Sequence, residues 1–506
     1  MNAIPSPKWL SREDRIFLGG LAALKLLLHL PVLGRYGYHH DELYFIACGR
    51  HLAFGYVDHA PLVPWIARLA DELFGASLYG LRIFSALAGA LTVFLTALLV
   101  RRLGGGRFAQ VLACLPFLTA PMFLRTHNLL HLPAFEVLFW VAAVYLVVRV
   151  LDEDEPRLWL WVGLLAGIGL LAKHSMLLFG FGLAVGLALT PQRKHFRSPW
   201  LYAGGAVAVL VFLPNLLWQV AHGWPTLEFL RQLNAGTMSG ISALQFVLGQ
   251  VLYFNPLAAP VWIAGLVFYF SQAGRRFRAL GWTYVALFVL LALIKSKIYY
   301  LAPAYPMLFA GGALAIEQWG RRHAWLRPVT AGAVVLSGLV FLPVSLPVLS
   351  IDATERYVRA ITFGAFENVY ELTADLRGMF AWEQRVEIAA EVYHRLPPAE
   401  RERTVVIGSW YGTAAALDFF GPSRGLPPAV STHMTYHLWG LPDHPIDTAV
   451  AVDVEREHLE EFFEEVTVAA QAELANVNPW ERHFTVSICR RPKVDIRQAW
   501  PQMRRY

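Results

Sequence analysis

The chain has 506 residues, 56% of them hydrophobic and 16% charged, with a formal net charge of +6. This balance excludes an ordinary set of soluble domains and indicates an integral membrane protein, since apolar runs near the roughly 20 helical residues that cross a hydrocarbon core recur from Ile16 to Leu349. Lys and Arg are spread through short loops rather than gathered on one soluble face, so the charge reflects membrane topology and not a nucleic-acid partner.

The first apolar run, 16–33, follows a basic segment with Lys8, Arg12 and Arg15. It is longer than a signal-peptide core and has no small-x-small cleavage site, which predicts an uncleaved anchor. An outer loop over 34–78 follows, with two polar clusters, Tyr38-His39-His40-Asp41-Glu42-Leu43-Tyr44 and Tyr56-Val57-Asp58-His59-Ala60-Pro61. Leu43, Phe45, Ile46, Leu52 and Phe54 alternate with polar residues there, and Trp65, Ile66 and Leu69 follow Pro64, so these pieces are expected to lie along the membrane interface.

Ten further spans are predicted, at about 79–100, 108–125, 133–150, 158–172, 175–190, 200–218, 245–270, 281–294, 299–316 and 328–349. With the N-terminus inside, a total of about eleven puts the tail outside. Basic loops at Arg101-Arg102 with Arg107, Arg193-Lys194 with Arg197, Arg275-Arg276 with Arg278, and Arg321-Arg322 with Arg327 then all fall inside. Asp152-Glu153-Asp154-Glu155 falls there too and reads as a solvated loop. Lys173-His174 and Lys295-Ser296-Lys297 interrupt apolar stretches as polar corners on the outer side, the side of Asp41 and Asp58. Cys48, Cys114 and Cys489 have no metal-ligand spacing, and free buried thiols are expected rather than a Cys48–Cys489 disulfide.

Composition changes after Ser350. Residues 1–349 read as a transmembrane catalytic domain and 350–506 as a soluble periplasmic domain. In the latter Thr404 to Gly408 is a predicted buried strand, Glu455 to Glu465 a helix and Phe484 to Ile488 a later strand, which makes a small α/β unit.

Asp41-Glu42-Leu43-Tyr44 followed by Gly55-Tyr56-Val57-Asp58-His59-Ala60-Pro61 resembles the family 39 glycosyltransferases, the protein mannosyltransferase-like enzymes of bacterial membranes. His131-Leu132-Pro133-Ala134-Phe135-Glu136, Lys297-Ile298-Tyr299-Tyr300-Leu301-Ala302-Pro303, and Tyr411-Gly412 with Gly425-Leu426-Pro427-Pro428 and Leu438-Trp439-Gly440 extend the likeness over most of the chain. The resemblance implies a polytopic α-helical membrane protein of GT-C glycosyltransferase architecture with a small C-terminal α/β periplasmic domain. It also implies transfer of a sugar from a polyprenyl phosphate carrier to lipid A, a glycan or a protein hydroxyl, outside the inner membrane and among its lipids.

Such a displacement needs a base for the acceptor proton and stabilisation of the departing phosphate. By its match to the family's outer-loop acidic residue, Asp41 is the expected general base, with a helix N-cap or an interfacial salt bridge as the alternative. Glu42 is expected to position the acceptor or help hold a cation. Asp58 and His59 are expected substrate contacts, although His59 stands where some relatives carry Lys, and it reads equally as loop packing. Glu136 matches the family's second acidic position and would orient the donor sugar or a metal, or else pair with Arg125 or His131. Lys173 and Lys297 are expected to meet the lipid phosphate, with His174, Tyr299 and Tyr300 as secondary contacts and Tyr411 closing the site from the tail. Asp41, Glu42, Asp58, His59 and Glu136 are suitable ligands for a divalent cation, but no ligand spacing assigns one. A transporter or flippase for a polyprenyl-linked glycan is the alternative class; it predicts polar residues near the midplane, whereas here the clusters gather at one face.

Overall fold

The computed structural model describes residues 10–236, 241–364 and 369–506; Lys8 of the basic N-terminal segment lies outside them. The chain forms two compact units. One comprises Met1–Leu33, Arg82–Ala221 and Leu233–Val348, the other Gly34–Leu81, His222–Gln232 and Leu349–Tyr506.

Among the described residues, six helices are long and apolar enough to cross a membrane: Leu78–Arg102, Leu132–Glu153, Pro199–Ala221, Arg275–Leu293, Ile298–Trp319 and Leu326–Ser345. Two bent pairs raise the number to as many as eight, and Arg107–Thr119 and Leu158–Ala172 are shorter apolar helices. The eleven expected runs are all helical, but not all are straight. The run expected over 245–270 is broken, with Ala243–Leu252 and Pro256–Phe270 meeting at 91°. Asn255 makes the corner: its φ is 70°, its amide donates to Thr119 Oγ1 and Val334 O at 3.0 Å each, and its Oδ1 accepts the Leu257 N–H.

The run expected over 108–125 is also interrupted, into Arg107–Thr119 and Pro121–Thr126. Pro121 has no N–H, so the Phe117 carbonyl loses its helical donor. Lys25, inside the Arg12–His29 helix and fully buried, supplies a replacement by donating to Phe117 O at 2.6 Å and Phe123 O at 3.1 Å. A buried lysine thus repairs a proline break.

The acidic stretch expected as a solvated loop is exposed at Asp154 and Glu155, and it also forms an ion-pair hub. Asp152 meets Arg102 (2.6 Å) and Arg276 (2.7 Å), Glu153 meets Arg102 (2.7 Å) and Arg149 (2.9 Å), and Asp154 meets Lys194 (2.7 Å). These pairs gather three of the four basic loops at one end of this unit.

Close helix contacts rest on glycine. A Cβ on Gly312 would collide with the Val261 carbonyl, and one on Gly265 with the Leu308 carbonyl, so Ala259–Phe270 and Tyr305–Trp319 pack backbone to backbone. Gly312→Ala is expected to cost about 1–3 kcal/mol through overpacking. A lowered thermal midpoint in detergent would show it; an unchanged midpoint would mean that the two helices separate freely.

The second unit is built on a five-stranded sheet of order β2-β1-β3-β5-β4. Its strands are β1 (Thr404–Gly408), β2 (Ala429–Val430), β3 (Thr448–Val452), β4 (Phe463–Glu473) and β5 (His483–Pro492). β1 runs parallel to β2 and β3, while β5 is antiparallel to β3 and β4. The helix expected over 455–465 is corrected to Arg456–Phe462, because from Phe463 the chain pairs with β5 as an edge strand.

The segment 34–81 belongs to the core of this unit. Leu43, Tyr44, Ala47 and Cys48 of the His40–Arg50 helix pack with Ala414 to Leu417 of the Tyr411–Phe420 helix, with Val406 of β1 and with Val450 of β3. The expectation that Leu43, Phe45 and Ile46 lie along a membrane interface therefore fails: all three are buried in protein. The Leu62–Phe74 helix differs, turning Val63, Ala67 and Ala70 inward and leaving Leu69, Leu73 and Phe74 exposed. All three cysteines are free and buried.

Candidate active site

Each unit carries one cluster of the anticipated residues. In the sheet-containing unit, His39 is the N-cap of the His40–Arg50 helix: its Nδ1 accepts the Asp41 N–H at 3.3 Å, and Glu42 Oε2 accepts the His39 N–H at 2.9 Å. This is a capping box, in which side chains satisfy the orphan donors of the first turn. Glu42 is fully buried in that role, which removes it from the acceptor-facing position expected of it.

Asp41, one residue into the helix, keeps an exposed edge, with 22% of its side chain accessible. The Tyr411 hydroxyl donates to its Oδ1 at 2.8 Å. His40 Nε2 lies 3.6 Å from Oδ1 and His39 Nδ1 3.8 Å from Oδ2. Burial, reinforced by the neighbouring His40, pushes His39 down to about 4, so its ring is neutral near pH 7. Burial and the adjacent Asp41 and Asp58 charges hold the Tyr411 hydroxyl well above its usual range, so it remains a donor.

Asp58 accepts the Tyr44 hydroxyl at Oδ1 (2.9 Å), and burial raises its carboxyl above the ordinary range against the opposing influence of His59. His59 is nearly inaccessible, with Nδ1 3.1 Å from Ala60 O and Nε2 3.8 Å from Cys48 Sγ. His59 Nε2 also lies 3.9 Å from Asp58 Oδ1.

In the membrane unit, Glu136 sits in the first turns of Leu132–Glu153. Its Oε2 pairs with Lys173 Nζ at 2.7 Å, and its Oε1 accepts the Ser175 hydroxyl. The pairing anticipated with Arg125 or His131 is thus replaced by one across the corner between Leu158–Ala172 and Met176–Ala188. Lys173 Nζ also lies 4.6 Å from the Tyr300 ring centroid and 5.2 Å from that of Tyr299, within cation–π range. His174 turns aside to Asn215 Oδ1 (3.2 Å). Lys297, half-buried, is the N-cap residue of the 3-10 turn Ile298–Ala304 that carries both tyrosines.

A donor set of two imidazoles and a carboxylate is present: ligand atoms of His39, His40 and Asp41 lie within 4.8 Å of one another, which suits zinc or manganese. Of the five ligands anticipated from sequence, only Asp41 belongs to this set.

Residues 58–218 match the family model described as "Dolichyl-phosphate-mannose-protein mannosyltransferase". The fold is similar to that of ArnT from Cupriavidus metallidurans bound to undecaprenyl phosphate: TM-score 0.63 at 16% identity, over 94% of this chain and 98% of that one. The matched segment is protein mannosyltransferase-like, and the fold is GT-C. Curated relatives include a lipid A galacturonosyltransferase, RgtD, of Rhizobium johnstonii, 27% identical over 43% of this chain and 48% of its own length. An undecaprenyl phosphate-α-4-amino-4-deoxy-L-arabinose arabinosyl transferase of Pseudomonas fluorescens is 27% identical over 56% of this chain and 55% of its length. The chain spans about half the length of these curated relatives. A GT-C fold means that the protein is membrane-embedded and multi-pass, in agreement with its apolar helices. The mannosyltransferase-like segment contains Asp58, His59, Glu136, Lys173 and His174, whereas Asp41, Glu42, Lys297, Tyr299, Tyr300 and Tyr411 lie outside it.

His39, His40, Tyr44 and Ser175 were not anticipated as site residues. Three of them had a local signal: His39 and His40 adjoin Asp41, and Tyr44 follows one helical turn after it. Ser175 lies two residues beyond Lys173, at the same corner.

Proposed function

We propose that this protein is a membrane glycosyltransferase that moves a sugar from a polyprenyl phosphate carrier to an envelope acceptor, lipid A, a glycan or a protein hydroxyl. The observation that carries the reading is the Asp41 carboxylate: partly exposed, held by Tyr411, and flanked by two imidazoles at the start of a buried helix. In this reading an acceptor hydroxyl oxygen attacks the anomeric carbon as its proton passes to Asp41, and the bond from that carbon to the carrier phosphate breaks with its electron pair on the phosphate oxygen. The leaving phosphate gains negative charge, which calls for cations on the donor side. Lys173 and Lys297 take that part, with Glu136 orienting the Lys173 ammonium and Tyr299 and Tyr300 flanking it. Asp58, held by the Tyr44 hydroxyl, serves as a substrate contact.

We place the protein in a bacterial inner membrane with its N-terminus in the cytoplasm. The tail, residues 350–506, is then periplasmic. Loops 101–102, 152–154, 194 and 276 meet in ion pairs at one end of the membrane unit, and a basic end faces the cytoplasm.

Mass spectrometry of envelope lipids and glycans from cells lacking the protein, with and without the native chain restored, tests this function. A sugar-sized mass increment that returns with the native chain is expected, and its carrier identifies the acceptor. Identical profiles with and without the chain would refute transfer.

A further inference from the structure

The turn that follows β2 touches both tyrosines that hold the two outer-loop carboxylates. Thr435, fully buried, accepts the Val57 N–H at Oγ1 (3.1 Å) and bonds to the Tyr44 hydroxyl at 2.7 Å. Tyr44 has a single proton, and an ionised Asp58 can only accept. The Tyr44 proton therefore goes to Asp58, and Thr435 donates its own proton to Tyr44. A directed chain results, from Val57 N–H through Thr435 and Tyr44 to Asp58.

Two residues earlier, His433 accepts the Tyr411 N–H at Nδ1 (3.4 Å), and its ring stacks on the Tyr411 ring at 5.5 Å and 12°. Tyr411 in turn donates to Asp41. Between them, Met434 has φ 51° and ψ −139°, a conformation that non-glycine residues adopt only when their surroundings enforce it.

The enforcing contact comes from Arg505. Its N–H donates to Thr432 O (2.9 Å), its carbonyl accepts the Met434 N–H (2.9 Å), its Nε donates to Thr432 Oγ1 (3.2 Å), and its guanidinium donates to the Ser409 carbonyl, two residues before Tyr411. One clamp thus grips both the turn and the start of the Tyr411–Phe420 helix.

We propose that the segment 431–436, which runs into the short helix Thr435–Trp439, is a positioning element for the reaction, in which Thr435 sets Asp58 through Tyr44 and His433 sets Asp41 through Tyr411. The inference rests on the transferase reading, in which Asp41 and Asp58 serve the chemistry. Neither Thr435 nor His433 touches an exposed carboxylate directly, so both act through another side chain.

The test is steady-state transfer by purified full-length protein, using a polyprenyl phosphate sugar donor and the acceptor found in cells. T435V, which keeps the shape and loses the hydroxyl, is expected to lower kcat at least tenfold with donor KM changed less than twofold. T435S, which keeps the hydroxyl, should retain most of the native kcat. A native kcat in T435V, or a loss in T435S equal to that in T435V, overturns the proposal, since the hydroxyl would then not matter. A raised KM at native kcat overturns it as well. If T435V does not fold, H433F carries the test: it keeps the stack on Tyr411 but cannot accept its N–H. A kcat at least threefold below native is then expected, and a native kcat refutes the role. Absence of transfer by the native chain would sink the transferase reading together with this inference, whereas the variant outcomes sink the inference alone.

Discussion

Asp41→Asn is expected to lower the rate of sugar transfer by about 10²–10⁴-fold, the range that a positioned general base contributes. The variant should fold normally. Asn keeps an oxygen for the Tyr411 hydroxyl, and the backbone N–H that His39 Nδ1 accepts is unchanged. Initial rates with a labelled polyprenyl phosphate sugar, measured beside thermal midpoints, separate chemistry from stability. Equal rates for variant and native protein would remove Asp41 from the reaction and leave it as a first-turn acidic residue behind the His39 N-cap.

Lys173→Met is expected to impair folding and transfer together. The Glu136 side chain is 1% exposed, and Lys173 is its cationic partner at 2.7 Å. Removal of the ammonium leaves a buried carboxylate held by the Ser175 hydroxyl, at a cost of about 3–5 kcal/mol for an uncompensated buried charge. The double variant Lys173→Met with Glu136→Gln should regain most of the thermal midpoint, because no lone charge remains. It should not regain transfer, because the cation assigned to the donor phosphate is still missing. A double variant that transfers sugar at the native rate would confine the pair to packing, and a single variant with a native midpoint would show that the ion pair is not structural.

Hydropathy located the membrane helices because a lipid-facing helix has to be apolar along its length, and Pro199–Ala221 shows this plainly. Breaks were harder to read. Pro121 was visible as a residue, but whether a proline kinks, ends or starts a helix depends on what satisfies the freed carbonyl, and here the answer comes from Lys25. Lys25 lies 92 residues from Phe117 in sequence. The tail shows the same limit: β1 is a short, mainly apolar run and was legible, whereas β4 carries Glu464 and Glu465 directly after its first residue and follows an acidic helix, so its alternation was masked. At the site, Asp41 stood out as an acidic residue beside an apolar span, and Tyr411 entered only through the family resemblance. The Glu136–Lys173 pair could not be read locally, since a gap of 37 residues has no periodicity to betray it. Thr435 and His433 had no signal at all: one opens a short helix, the other lies two residues before it, and their importance lies in what they touch.

Because the Tyr44, Ala47 and Cys48 side chains share one apolar core with Val406 and Val450, the sheet-containing unit is completed only late in synthesis. Some 360 residues separate Cys48 from Val406, a wait of roughly 20–70 s at 5–20 residues per second. Throughout that interval the His40–Arg50 helix has no strands to cover it, and its apolar face needs shelter from the bilayer surface or a chaperone. A chain truncated before Thr404 therefore leaves this helix without the strands that cover it.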